Sequence, residues 1–502
     1  VSRGTHRAGP ARREQASGPK RAARQQFAAV DELACYFDTA NEPSNVHLEM
    51  RVPGRLDRQI LRGAVTAAMS THPLTSRRRA RPGPLSTAYT WERRSGLDID
   101  PISFTTFATA ADLDATRTEF LSRSPSLDTA PPALLLMASG PGSDYLILNA
   151  HHAVMDGMSW LELLRDIGRR YTARRAGRAD PATAGAEAAD RFRPAPVPTS
   201  AAPARIAAPT RITALPGGAR DSQDLPGRIR VLRQQLAQRY APPARIAGER
   251  SGGIGCGVQM LLLAGVPGVP GPASGVKATV NEVLVAALIG AVGRWNSDHS
   301  KPRRLTRITV PVNARGPDRP LAAGNLSRLV TISAMPPGPA ESLTAVLLDV
   351  MRQARSTARQ AGPQINTASR GLAAARLPTV AKRWAVRLAL RTTGPLICDT
   401  AMLTNLGRVP DPPDFGQAGE ITMGFSGPAQ MPRGLSVGVV TAGGRMQLGI
   451  RYNRALLDDD AAARFGTTLL STLDEITQLA GTASGAIEAR ATTATSTTAG
   501  LT

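Results

Sequence analysis

Between about residues 173 and 250 the sequence changes character. Ala, Pro and Arg crowd together, as in Arg193-Pro194-Ala195-Pro196-Val197-Pro198 and Ala202-Pro203-Ala204. Such a stretch has little to fill a core with, and each proline withholds an amide hydrogen that a helix or sheet would use. It divides the chain into two lengths of packed-protein composition. At 502 residues the whole exceeds what one hydrophobic core supports, so two lobes of roughly 200 residues are expected. We read 27–172 as the N-terminal lobe, 173–256 as a linker with a candidate helix around Arg228–Tyr240, and 257–481 as the C-terminal lobe. The ends, 1–26 (basic, Gly/Pro-rich) and 482–502 (Thr/Ala/Ser-rich), read as disordered tails.

Within the lobes, apolar runs alternate with helical periodicity, which predicts a mixed α/β fold. Strands are expected at His47–Val52, Asp144–Asn149, Val258–Leu263, Arg307–Val312, Leu329–Ala334, Leu435–Thr441 and Met446–Tyr452. Ile60, Leu61, Val65 and Met69 place a helix over about Asp57–Ser70, ending before His72-Pro73. The run from Val283 to Trp295 is apolar on nearly every face, so it reads as a buried helix, with Asn281 as its N-cap and Glu282 at its positive end. Further helices fall between about Glu341 and Leu390. A last one opens at Asp458-Asp459-Asp460, carries Phe465, Leu469, Leu473 and Ile476 on one face, and stops at Gly481.

A net charge of +22 would suit nucleic acid, but the pattern speaks against it. Only four of the 61 basic residues are lysines. The arginines are scattered, with no stripe and no interleaved aromatics. A diffuse positive field would instead favour an acidic donor such as coenzyme A or a carrier protein. Cys35, Cys256 and Cys398 show no metal or redox spacing and read as thiols in a reducing cytoplasm. No apolar run reaches the roughly 20 residues a membrane span needs, and the N-terminal stretch, basic and without an apolar core, does not read as a secretory signal.

The chemistry concentrates in His151-His152-Ala153-Val154-Met155-Asp156-Gly157. The apolar run before it reads as a buried strand. Trp160, Leu164, Ile167 and Tyr171 after it read as a helix, with Ser159 near its start. The motif therefore lies on a strand-to-helix loop, where strand ends commonly expose reactive groups at a cleft. A neutral imidazole near pH 7 suits general-base activation of an amine or hydroxyl for acyl transfer. Gly157 would let substrate approach the backbone without a side chain in the way. The bland reading is a core histidine pair followed by an Asp-Gly turn.

The motif resembles the signature of the superfamily of peptide-synthetase condensation domains, polyketide-associated acyltransferases and bacterial wax ester synthases. Other segments agree in order: Ser70-Thr71-His72-Pro73-Leu74, Val280-Asn281-Glu282-Val283-Leu284, Val310-Pro311-Val312-Asn313-Ala314-Arg315, Gly324-Asn325 and Thr404-Asn405-Leu406-Gly407. The resemblance spans about residues 28–480 and is strongest to free-standing condensation-like proteins of high-GC actinobacteria. It implies two chloramphenicol-acetyltransferase-like lobes in a V, with a tunnel between them entered by the acyl thioester on one side and the acceptor on the other. It also implies that His152 is the base and His151 mainly structural, and that Asp156 holds the loop through an arginine, assigned to Arg315. Asn405 approaches the tunnel on this pattern, either as an oxyanion donor or as a turn residue before Gly407. Glu282 stands where wax-synthase-like sequences usually carry Asp.

The expected donor is coenzyme A or a phosphopantetheinyl carrier protein, supplied in trans because no carrier-domain serine motif is present. The acceptor is a small-molecule alcohol or amine. No metal and no bound cofactor are expected. Gly424-Phe425-Ser426-Gly427-Pro428 lacks the last glycine of a nucleophile elbow, and Gly253-Ile254-Gly255-Cys256-Gly257 has the wrong spacing for a dinucleotide. Three readings follow: an O- or N-acyltransferase of specialised metabolism, a wax ester or diacylglycerol synthase, and a non-catalytic carrier-docking module.

Overall fold

A computed structural model describes residues 24–181, 242–249, 253–263, 265, 277–315, 324–338, 341–358 and 375–497. The candidate helix at Arg228–Tyr240 and most of the linker fall outside them. The N-terminal half runs β1 (Gln25–Gln26), α1 (Ala29–Phe37), β2 (Asn45–Pro53), α2 (Arg58–Thr71), β3 (Arg77–Arg79), β4 (Thr90–Arg93), β5 (Ile102–Thr106), α3 (Ala110–Leu121), β6 (Ala133–Gly140), β7 (Ser143–His151) and α4 (Gly157–Arg175). The C-terminal half runs β8 (Cys256–Leu263), α5 (Val280–Asp298), β9 (Thr306–Asn313), β10 (Ser327–Ala334), α6 (Leu343–Ala358), α7 (Thr379–Thr392), α8 (Gly394–Ile397), β11 (Ala401–Val409), β12 (Thr422–Ser426), β13 (Leu435–Ala442), β14 (Arg445–Asn453) and α9 (Asp459–Thr497).

Two mixed sheets carry the architecture, each with its own core. One is ordered β12-β2-β7-β6-β5, the other β10-β9-β11-β13-β14-β8, and a small sheet, β1-β4-β3, flanks the first. β7 is central and covered on both faces, which is why it reads as an apolar run with no alternation. Helices α2 and α4 pack against the first sheet's core through Leu61, Val65, Met69, Trp160, Leu164 and Ile167. In the second lobe α5 is apolar all round because α9, α6 and the sheet enclose it.

β12 ties the lobes together. It lies in the C-terminal half of the chain but pairs antiparallel with β2 of the N-terminal sheet, Ser426 opposite His47 and Gly424 opposite Glu49. To get there it crosses the face of the C-terminal sheet over a cross-strand glycine pair, Gly438 and Gly449. A Cβ at either position would lie 2.3 or 2.2 Å from the Phe425 carbonyl oxygen. Backbone passes so close that only glycine leaves room. His47 Nδ1 then meets Ser426 Oγ at 3.1 Å and its Nε2 meets Glu49 at 3.3 Å, while Arg117 clamps Glu49 from 2.6 and 2.8 Å. Ser, His and Glu thus stand in line, but Ser426 and His47 are fully buried. The group works as a polar pin between lobes.

Several boundaries differ from the sequence reading. Thr279, not Asn281, caps α5: its hydroxyl accepts from Glu282 N, and Glu282 Oε2 accepts from Thr279 N at 2.6 Å. This reciprocal capping box satisfies two amide donors where a lone Asn would satisfy one, and it leaves Asn281 inside the first turn. Within the expected tail, Gln25–Gln26 form β1, which pairs with β4, and Phe27 stacks on Trp91 at 3.8 Å. α9 continues through Thr497, beyond the expected stop at Gly481; one helical glycine costs only about 1 kcal/mol. Cys398 is half-buried, unlike Cys35 and Cys256.

Candidate active site

The motif loop opens where β7 ends. His151 closes that strand opposite Asn45 of β2, and α4 begins at Gly157 with Asp156 as its N-cap, accepting from Ser159 N at 3.1 Å. His151 is buried and fixed from both sides. Its Nδ1 accepts from Ala153 N at 3.0 Å, and its Nε2 lies 3.7 Å from Asp38 Oδ2. Asp38 also accepts from Ser44 N and Ser124 Oγ. Its carboxyl sits below the usual range: burial pushes it up, but the His151 imidazole and these donors outweigh burial. His151 is an internal strut.

His152 differs. Its backbone N donates to Ser44 O at 2.8 Å, and its side chain is only half-buried. No hydrogen bond of normal geometry reaches the buried Nδ1. Burial lowers the ring below its ordinary 6.5, against the charge of Asp156 and the carbonyls of His152 and Met155. This direction favours the neutral imidazole at pH 7.

Asp156 is the hinge of the site. Arg315, just past β9 in the other lobe, donates to both of its carboxylate oxygens at 2.9 and 2.8 Å. Leu326 N donates to Oδ2 at 3.1 Å. Arg315 also reaches Ser159 Oγ at 2.9 Å. Both side chains of this fork-to-fork pair are buried. Gly324-Asn325 completes the bracket: Asn325 Nδ2 donates to His152 O at 2.7 Å and to Asp31 Oδ1 at 2.8 Å. Burial pushes Asp31 up to about 7, against the Asn325 hydrogen bond and Arg77. Sequence reading missed Asp31, Asp38 and Ser44 as supports of this loop, since each lies in an unremarkable stretch of α1 or the turn after it.

Gly157 does not do what its position suggested. A Cβ there would lie 2.7 Å from Leu406 Cδ2 and 2.8 Å from Phe425 Cε2. The space is taken by the C-terminal lobe, so the glycine admits β11 and β12 against the helix start and leaves no room for substrate. Asn405 stands beside this contact, at the register shift between β11 and β13. Its Oδ1 accepts from Gly407 N at 2.7 Å, and Gly407 has φ +79°. The side chain thus shapes the bulge, the turn role expected as one of its two readings, and its Nδ2 remains as a donor. A cleft of about 450 Å³ lined by Arg55, Thr106, Gly140 and Asp144 opens at the far end of β7, about 25 Å from the histidines at strand rise, and is separate from the motif.

The chain, two-lobed with a strand from one half completing the sheet of the other, has a condensation-domain-like fold. Solved structures bear this out. The first condensation domain of the calcium-dependent antibiotic synthetase, in complex with a substrate analogue, is 15% identical with TM-score 0.58, covering 91% of this chain and 97% of that one. The epimerization domain from the third module of tyrocidine synthetase B is 14% identical with TM-score 0.55, covering 92% and 98%. A mutant starter condensation domain of rhizomide synthetase, in complex with C8-CoA and Leu-SNAC, is 12% identical with TM-score 0.55, covering 90% and 94%. By sequence, the chain is 27% identical over 465 residues to uncharacterized proteins of Mycobacterium tuberculosis strains CDC 1551 / Oshkosh and ATCC 25618 / H37Rv, covering 89% of this chain and 98% of each. No protein-family model matches.

Proposed function

We propose that this protein is an acyltransferase that condenses an acyl thioester with a hydroxyl or amine acceptor, with His152 as general base. What carries the reading is the state of that ring: neutral, half-exposed, and held by a loop braced from the opposite lobe. The nucleophile's proton passes to the His152 nitrogen as oxygen or nitrogen attacks the thioester carbonyl. Collapse of the tetrahedral adduct then expels the thiolate, which recovers the proton from the imidazolium. A positioned base of this kind typically contributes about 10²–10⁴-fold, and alignment of the two substrates contributes further.

His151, Asp156, Gly157 and Arg315 serve the geometry and touch no substrate in this account. Asn405 Nδ2 is the candidate donor to the oxyanion. The donor thioester is on coenzyme A or a phosphopantetheinyl carrier. The synthetase-like fold favours specialised metabolism over neutral-lipid synthesis, and three unpaired cysteines suit a reducing cytoplasm. The test is free-thiol release and intact-mass analysis with acyl-CoA and acyl-pantetheine donors against panels of amines and alcohols. Acceptor-dependent thiol release that disappears in His152→Ala supports the reading. Release that survives intact in that variant, or no transfer with any donor class, leaves only the fold.

A further inference from the structure

Helix α7 faces the wrong way for a surface helix. Its polar side is turned inward: Lys382 is buried with Nζ donating to Thr87 O at 2.7 Å, and Arg383 and Arg387 both donate to the Asp38 carbonyl. Its outer side is apolar. Val380, Trp384 and Leu388 are spaced four apart and are 59, 70 and 63% exposed, and Leu377, Leu396 and Ile397 extend the stripe at both ends with 49, 56 and 66%. Ala381, Ala385 and Ala389 lie between them, also exposed. The loop between β3 and β4 docks beside the helix start, where Thr379 N donates to Ser86 O at 2.8 Å. That loop adds Leu85, 80% exposed. Isolated apolar residues on a surface need no explanation, but a contiguous stripe with a tryptophan at its centre does.

Charge speaks against a second copy as the occupant. From 375 to 398 the sequence holds Arg376, Lys382, Arg383, Arg387 and Arg391 and no acidic residue. Arg376 and Arg391 are exposed, one at each end of the stripe. Burial, and next to it the neighbouring Arg383, lower the Arg387 guanidinium, so like charges crowd here with Asp38 opposing. A second copy would bring the same cations face to face. An apolar, tryptophan-bearing helix face flanked by cations is what lies in the headgroup region of an anionic bilayer, where arginines near the surface add electrostatic attraction. Among the described residues no helix is long and apolar enough to cross a membrane, so attachment would be peripheral.

We propose that the α7–α8 face is a membrane-binding surface that seats the protein on anionic phospholipid through Trp384, Leu388 and Val380, flanked by Arg376 and Arg391. The helix rests on the Asp38 turn that also braces His151, so the lipid-bound face and the candidate site share one support. The surface does not depend on the acyltransferase reading, because binding can be measured equally well on His152→Ala.

The chain supplies its own probe. Of its four tryptophans, Trp91, Trp160 and Trp295 are buried and Trp384 is exposed. Full-length protein is mixed with vesicles of equimolar phosphatidylglycerol and phosphatidylcholine, and with phosphatidylcholine alone. Co-sedimentation and tryptophan emission are then recorded. The expected result is sedimentation with the anionic vesicles, a blue shift, and quenching by brominated acyl chains, all weakened by salt. Trp384→Glu should lower the vesicle partition about ten-fold or more, whereas Trp384→Phe should retain most of it. Absence of binding to anionic vesicles overturns the proposal, as does equal binding to neutral ones. A concentration-dependent dimer abolished by Trp384→Glu, without vesicle binding, would assign the face to a second copy and overturn it as well.

Discussion

The Asp156–Arg315 pair gives the sharpest structural prediction. Asp156 receives Arg315 through two bonds at 2.8 and 2.9 Å, Ser159 N at 3.1 Å and Leu326 N at 3.1 Å, in a buried setting. Asp156→Ala removes the carboxylate from a desolvated guanidinium, leaves the first turn of α4 uncapped, and unpairs Leu326 N. Breaking a buried ion pair from one side costs about 3–5 kcal/mol, a large part of the 5–15 kcal/mol that typically holds a domain. Arg315→Met leaves the opposite charge buried and should cost a similar amount. The double variant removes both charges, so its cost should fall well below the sum of the singles, with about 2 kcal/mol or more of coupling. Soluble yield and denaturant midpoints for the four proteins measure this. Additive single costs, or Asp156→Ala as stable as the parent, would refute the claim that this pair braces the motif loop across the lobes.

Other outcomes follow from the same geometry. If His152 is the base, kcat/KM should be level at neutral pH and fall in acid as the ring protonates; because burial lowers the ring, the acid limb should have its midpoint below 6.5, and a midpoint above that value contradicts the assignment. Gly157→Ala presses on the movable tips of Leu406 and Phe425 and should cost about 1–3 kcal/mol. Gly449→Ala presses on the Phe425 carbonyl and should cost more, and the reverse order in thermal melts would show that β12 does not cross there. Glu49 is held near 2, down from 4.5, because Arg117 overcomes burial. A depressed carboxyl stabilises the fold above its unfolded value and loses this as pH falls through its folded one. Glu49→Gln should therefore cost about 3 kcal/mol at pH 7, and the deficit should vanish near pH 2; a deficit independent of pH would rule out the ion pair as its source.

The motif's setting was readable because both flanks carry strong local signals: an unbroken apolar strand, then a helix marked by Trp160, Leu164, Ile167 and Tyr171. The resemblance supplied the long-range partner, Arg315, which periodicity cannot. α3 escaped because only Leu113, Arg117 and Leu121 face inward, too few for an apolar stripe. β12 escaped because its five residues carry no sign of a partner strand 379 positions away. The trace it left was indirect: Gly438 and Gly449, two glycines inside otherwise apolar strands. Gly157 was assigned to substrate for the same reason, since what fills the space beside it comes from Leu406 and Phe425. The Asn281 assignment was avoidable, because Thr279-Val280-Asn281-Glu282 already spells a capping box.

Everything chemical in this account rests on one imidazole acting as a proton acceptor in a folded, braced loop. The most direct test compares single-turnover acyl transfer by the parent, His152→Ala and His151→Ala, each checked first for an unchanged melting temperature. Folded His152→Ala is expected to lose about 10²–10⁴-fold, and His151→Ala to fall in stability enough to account for its fall in rate. A folded His152→Ala protein transferring acyl groups at the parental rate would contradict the general-base assignment.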